Sequence, residues 1–349
     1  MTRKGRFRGS TAQTFLKQAK KRLNLRVETN ATVSKLIFED KKCVGVKFFK
    51  HGKEKFIKAA KEVILSGGAV NSPHILQVSG IGPSDHLMNI GINVVHHLPG
   101  VGANLQDHYV ARVSHRVRHA KSINSLSRGT NLLKEIATWA FSGKGALTFG
   151  VTSAMVFSRS REGLSSPDLQ LLFTPASYSE RTLGKLEQDD GMTVAVCPVR
   201  PASRGTIMAV SSDPFVRPEI RPNYLSDPDD VRVLLAGINQ TREIFSQPAL
   251  QRYSSKETAP GIQIQTSEEL ESFARENGSI IYHPVSTCRM GDDAMAVVDP
   301  RLRVHGIKGL RVVDASIMPT VTTGNTNAPT IMIAEKASDM ILEDERQAS

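Results

Sequence analysis

The chain has 349 residues, 40% of them hydrophobic and 23% charged, with a formal net charge of +11. That length suits two domains, or one large domain with an insertion, and allows a sizeable core. No apolar run approaches the ~20 residues a helix needs to cross a bilayer, which argues against a transmembrane segment.

The positive excess is concentrated at the start, where nine Lys and Arg lie between Met1 and Val27 and no acid precedes Glu28. Such an Arg-rich, acid-poor opening has the look of an organelle transit peptide. Against that, "GSTAQTFLKQAKKRL" carries a helix start of its own, with Ser10 as N-cap and Gln13 three residues on, and leads into an extended "LRVET". The basic residues lack the aromatic interleaving of single-strand binders, so no nucleic-acid partner is expected. Cys43, Cys197 and Cys288 are odd in number and far apart, with no CxxC pair or His/Cys cluster to hold a metal. Reduced thiols in a cytoplasmic compartment are the simplest account, with mitochondrial or membrane-peripheral placement left open.

Residues 25 to 65 alternate apolar and polar in short runs separated by "DKK" and "HGK", which predicts small antiparallel strands joined by tight turns. The run "EVILSGG" reads as a buried strand stopping at Gly67 and Gly68. In "AVNSPHILQVSGIG", Asn71 or Ser72 is expected to cap a helix with Pro73 in its first turn, and "GIG" to stop it. Strand, glycines, helix start is the geometry that brings backbone amides close to a ligand phosphate or ring.

From about 110 to 280, "NLLKEIATWAF" and "DPDDVRVLLAGINQTREIF" have helical spacing, the second with Asp227 before Pro228 as a start signal. The segments "DLQLLFTP", "MTVAVCPV", "GTIMAVS" and "PEIRPNYL" read as strands, and Thr266 with Glu269 forms a capping box for a helix. Near the end, a strand from Leu310 to Val313 stops at Asp314. A loop rich in Thr, Gly and Asn follows, then a helix with Asn327 near its cap and Pro329 in its first turn. The unpaired N-terminus of that helix favours an electron-rich or anionic neighbour.

In "IIYHPVSTCRMG", Pro284 biases His283 toward an extended or turn backbone, where a side chain can be aimed at something. A half-buried histidine with one backbone hydrogen bond explains the motif alone equally well.

Taken together, "GAVNSPHILQVSGIG", "LPGVGANLQDH", "PASRGTIMAVSSDPFVRPEIRPNYL", "YHPVSTCRMG" and "VVDASIMPTVTTGNTNAPTIMIAEKA" resemble the glucose-methanol-choline family of flavin oxidoreductases, in register from about Gly5 to Ile341. The resemblance implies a mixed α/β fold: a Rossmann-like flavin domain from 1–110 and 281–349, and a substrate domain on an antiparallel sheet from 111–280. Members of the family open with a strand, a GxGxxG turn and a helix that hold the FAD pyrophosphate. Here "GIGPSD" and "GVGANL" have the first two glycines without the third, so the chain resembles the C-terminal two-thirds of a member, its first βαβ unit missing.

The resemblance implies FAD as cofactor and the oxidation of a small alcohol to an aldehyde or ketone, by hydride transfer to flavin N5. The acceptor that reoxidises the flavin, quinone or oxygen, stays open. His283 matches the family histidine that meets the substrate hydroxyl, and an imidazole suits proton transfer at neutral pH. Asn327 matches the position of its Asn or His partner; an amide donates but takes no proton, so it is expected to clamp the alkoxide while also serving as a helix cap. Ala328 and Thr330, in the first turn of the last helix, are expected near the flavin. Asp314 and Ala315 are expected at the ribityl and pyrophosphate portion, with Asp314 also readable as a strand-end cap. Gly68, Asn71 and, less directly, Val33 are expected along the cofactor. Arg204 and the pair Asp107-His108 are family-like and read as structural.

The chain is most similar to the choline-oxidising branch in "LRVVDASIMP" and "NAPTIMIAEKA". A quaternary ammonium wants a carboxylate or an aromatic cage. The segment "KGALTFGVTSAMVFSRS", where that branch supplies a glutamate, has no acid, and the chain has one tryptophan, so a neutral, partly apolar alcohol is expected instead. The alternative is a truncated or degenerate, non-catalytic member that binds no flavin.

Overall fold

The computed structural model describes residues 3–5, 7–150, 152–179 and 184–348. It divides into two compact units, one from 1–30, 111–196 and 235–278, the other from 31–110, 197–234 and 279–349. Two segments therefore fall elsewhere than the motifs suggest. The stretch before Asn30 goes with the first unit, where the Phe7 ring meets Trp139 edge-on at 6.0 Å. Residues 197–234 go with the second, because the buried Gln77 amide donates to the Ile207 carbonyl at 2.9 Å and accepts from Ala209 N at 2.6 Å, and Leu105 pairs with Gly205.

The first unit is built on an antiparallel sheet, in the order Ala154–Ser158, Leu169–Thr174, Gly191–Pro198, Tyr109–Val117, Ser254–Ala259. Leu169, Leu171, Val194 and Val196 fill its inner face. The helix Pro228–Ser246 comes within touching distance of this face at Gly237, where a Cβ would lie 2.4 Å from Val196 Cγ1. Further along the same helix, Arg242 forms a half-buried ion pair with Glu257 at 2.8 Å and donates to the carbonyls of Gly261 and Ile264. That pairing satisfies charges whose burial alone is costly. Thr266 and Glu269 form the expected capping box on Ser267–Asn277. The opening helix is wound irregularly, a π turn at Ala12–Leu16 followed by Lys17–Ala19, and Ser10 serves it through its carbonyl rather than its hydroxyl. "LRVET" forms no strand.

In the second unit the strands Ala31–Glu39, Lys42–Lys50 and Lys53–Lys58 form an antiparallel meander. Lys50 pairs with Lys53 across the two-residue turn His51-Gly52, both at positive φ, the twist that suits a tight hairpin. Val63–Leu65 and Leu310–Val312 then pair in parallel, the only parallel strands longer than two residues among the described residues. The helix after Val63–Leu65 begins at Gly68, not at Asn71 or Ser72, and Pro73 lies inside it. The Ser72 hydroxyl is engaged elsewhere, accepting from Gly67 N and donating to Asp314, so it is not free to cap. The core of this unit packs Leu36, Leu76, Val101 and Val298 with Leu310 and Val312. The last helix runs Asn327–Ala348, and its Asp344 with Glu62 neutralises the buried Arg311 guanidinium.

Candidate active site

The parallel strands Val63–Leu65 and Leu310–Val312 end side by side, with Val313 N donating to the Leu65 carbonyl at 2.8 Å. Open α/β sheets receive ligands at the carboxyl ends of such strands. There the Asp314 carboxylate gathers three donors: Gly68 N at 2.9 Å, the Ser72 hydroxyl at 2.5 Å and Ser316 N at 2.8 Å. Gly68 takes φ +78°, and a Cβ there would meet nothing within 4 Å, so its backbone faces open space. Ala315 opens the short 3-10 turn after Asp314 and is half-buried. Of the expected cofactor residues, Gly68, Asp314 and Ala315 thus come together. Asn71 is exposed on the same helix, Val33 pairs with Phe48 in the meander, and Ala328 and Thr330 stand in the first turn of the last helix, where Thr330 bonds back to the Thr326 carbonyl.

The segment carrying His283 is anchored to this region. Cys288 N and Met290 N donate to the carbonyls of Ser316 and Ile317, and the Thr287 hydroxyl donates to the Ala69 carbonyl. On its other side it lies antiparallel to "NLQDH", with Gln106 and Val285 exchanging backbone bonds and Ile281 N reaching the His108 carbonyl. Tyr282 and Ser286 both hold φ in the left-handed region, at +60° and +75°. Such strained residues persist where the surroundings over-determine them, and they cluster at functional sites.

His283 is 8% exposed and contacted on three sides. Its backbone N donates to Asp107 Oδ1 at 2.8 Å, its Nδ1 lies 2.9 Å from His108 Nδ1, and its Nε2 lies 3.3 Å from Asn325 Nδ2. Asp107 also accepts from His108 N and from the Tyr224 hydroxyl at 3.0 Å. Burial raises the Asp107 carboxyl above the usual carboxylate range against these three bonds. Burial lowers His283, and burial together with the neighbouring His283 pushes His108 down to about 4.

Two groups of partners, the pair Asp107-His108 and the single Asn325, were not expected at the site. Asp107-His108 reads as structural in sequence, yet it touches His283 directly. No hydrogen bond joins Asn327 to His283 among the described residues; the carboxamide at Nε2 belongs to Asn325, and Asn327 stands exposed at the start of the last helix. The signal for the first was the quoted "NLQDH" motif itself. Nothing local in the Thr/Gly/Asn loop marks Asn325 over its neighbours.

Two family models of GMC oxidoreductases match the chain, an N-terminal one over residues 1–110 and a C-terminal one over 201–334. The chain belongs to the GMC oxidoreductase family. It is 44% identical over 341 residues to the oxygen-dependent choline dehydrogenase of Pectobacterium carotovorum, covering 98% of this chain and 61% of that protein. Its identity to the counterpart in Chromohalobacter salexigens is 43% over the same shares. The chain therefore spans about three-fifths of the length of these GMC relatives. Among solved structures it is similar to pyridoxine 4-oxidase from Mesorbium loti, at 26% identity and a TM-score of 0.84 over 96% of this chain and 62% of that one. An FAD-dependent oxidoreductase from Chaetomium thermophilum aligns at 25% identity and a TM-score of 0.85, over 97% and 65%. The mixed α/β fold with antiparallel sheets is the one these GMC flavoproteins share. No described helix is long and apolar enough to cross a membrane.

Proposed function

We propose that this chain contributes the reacting side chains and part of the FAD site of an alcohol oxidoreductase, which converts a CH–OH donor to an aldehyde or ketone. The observation that carries this is a buried imidazole, His283, held by its backbone and by Nδ1 so that Nε2 is the atom left for a substrate. The residues fit the cofactor at the carboxyl ends of the parallel strands: Gly68 leaves open space beside Asp314, and the N-terminus of a 22-residue helix lies exposed at Asn327 and Ala328. When bound, FAD supplies the hydride acceptor, N5.

His283 takes the hydroxyl proton at Nε2, and burial, which lowers its pKa, keeps that nitrogen uncharged and open to a proton at neutral pH. Asn327, by its match to the family position, holds the developing alkoxide, while Asn325 donates to Nε2 until substrate displaces it. Asp314 and Ala315 bind the ribityl and pyrophosphate portion, with Asn71 and Val33 further along the cofactor. The substrate is a small neutral alcohol, since residues 144–160 carry no acid to pair with a quaternary ammonium. The sequence contains no GxGxxG turn for the pyrophosphate, which supports a second reading in which this chain alone binds no flavin and is not catalytic. Flavin absorbance of the purified chain separates the two. Anaerobic bleaching by neutral alcohols, faster than by choline, is the result expected of the first; bleaching by choline alone overturns the substrate assignment.

A further inference from the structure

The geometry points to His108 as a positioning residue that selects the tautomer of His283, leaving Nε2 bare. This rests on the reading of His283 as a base. The chain of contacts has a single consistent direction. A carbonyl oxygen only accepts, so His108 Nε2, 3.3 Å from the Val199 carbonyl, carries a proton and donates it there. In a neutral imidazole the other nitrogen is then an acceptor, so His108 Nδ1 receives a hydrogen bond across the 2.9 Å contact from His283 Nδ1. With its proton on Nδ1, His283 presents an unprotonated Nε2, and the Asn325 amide donates to it.

The alternative directions fail on the same contacts. Protonating His108 would place a cation in a residue with 0% exposure, facing another imidazole. The opposite neutral tautomer of His108 would set a bare Nε2 against the Val199 carbonyl, two acceptors face to face, and would turn a His283 Nε2–H toward the Asn325 amide, two donors face to face. Asp107 fixes the arrangement from beneath by accepting from the backbone N of both histidines, and it is itself held by the Tyr224 hydroxyl. His108, Asp107 with Tyr224 behind it, and Asn325 are the polar groups that face His283. The two rings meet edge-on, with planes 79° apart and centroids 5.2 Å apart, so the nitrogen lone pair and the N–H lie close to one line.

The test is nitrogen NMR of the chain labelled with 15N-histidine, read with and without FAD. In the unaltered chain His283 is expected to carry its proton on Nδ1 with Nε2 bare. His108→Leu removes the acceptor and is expected to move protons onto Nε2, whereas His108→Asn keeps an acceptor oxygen near the Nδ1 position and is expected to restore the original tautomer. In parallel, alcohol-driven flavin reduction should fall about 10-fold or more in His108→Leu and recover to within about 3-fold in His108→Asn. A proton on Nε2 of the unaltered chain overturns the inference, as does an unchanged tautomer in His108→Leu. If His108→Leu does not fold, the unaltered chain and His108→Asn decide alone, since both must show Nδ1–H. The expected tautomers without any alcohol-driven reduction would support this assignment while counting against the oxidation reading.

Discussion

Acid should destabilise this protein through His108 before most carboxylates titrate. His108 is wholly buried, and burial with the neighbouring His283 lowers it from 6.5 to about 4. Because the folded value lies below the unfolded one, the unfolded chain binds the proton more readily. The stability is fully present above pH 6.5 and is lost as pH falls toward the folded value. For those two values the loss between about pH 7.5 and about pH 5 is roughly 2 kcal/mol, approaching roughly 3 kcal/mol below pH 4. His283, lowered by burial, adds in the same direction, while Asp107, raised by burial, opposes it. Both remain in His108→Asn, so comparing the two proteins isolates His108. Unfolding free energies from urea titrations at the two pH values should fall further on acidification in the unaltered chain than in His108→Asn, by that amount. Equal acid sensitivity in both would refute a neutral, buried His108.

Asp107→Ala leaves two buried backbone donors and the Tyr224 hydroxyl without their acceptor, and should cost about 3 kcal/mol. Asp107→Asn keeps an oxygen for both N–H groups and should cost about 1 kcal/mol, so equal losses in urea unfolding would contradict the three-donor account. In single-turnover reduction, Asn327→Ala should slow the flavin step about 10- to 100-fold and Asn325→Ala less than about 5-fold. The reverse order would move the alkoxide clamp to Asn325, the carboxamide that touches His283.

What the sequence shows and hides follows from how local each signal is. The His51-Gly52 hairpin, the Thr266–Glu269 capping box and the alternating strands of the meander are specified within a few residues, and they form where expected. The helix at Gly68 starts earlier than its cap-like residues suggest because Ser72 spends its hydroxyl on Asp314, 242 residues away. Likewise, the "NLQDH" motif marks Asp107-His108 without showing what it touches, since its partner His283 lies 175 residues on and the backbone bonds of Gln106 with Val285 and of Ile281 with His108 bring the two rings together. The compact units divide at 30, 196 and 234 for a similar reason. Gln77 and Leu105 recruit residues around 205–209 across long stretches of chain. His283 stands out in the sequence through the family resemblance, since "YHP" alone is also explained by a half-buried histidine, and the strained turn around it shows only in the structure.

The most direct test of the account is anaerobic stopped-flow mixing of the flavin-loaded protein with a neutral alcohol, with and without His283→Ala. The account predicts that the variant keeps its bound FAD spectrum while the flavin bleaches at least about a hundredfold more slowly. Reduction at the unaltered rate would contradict it.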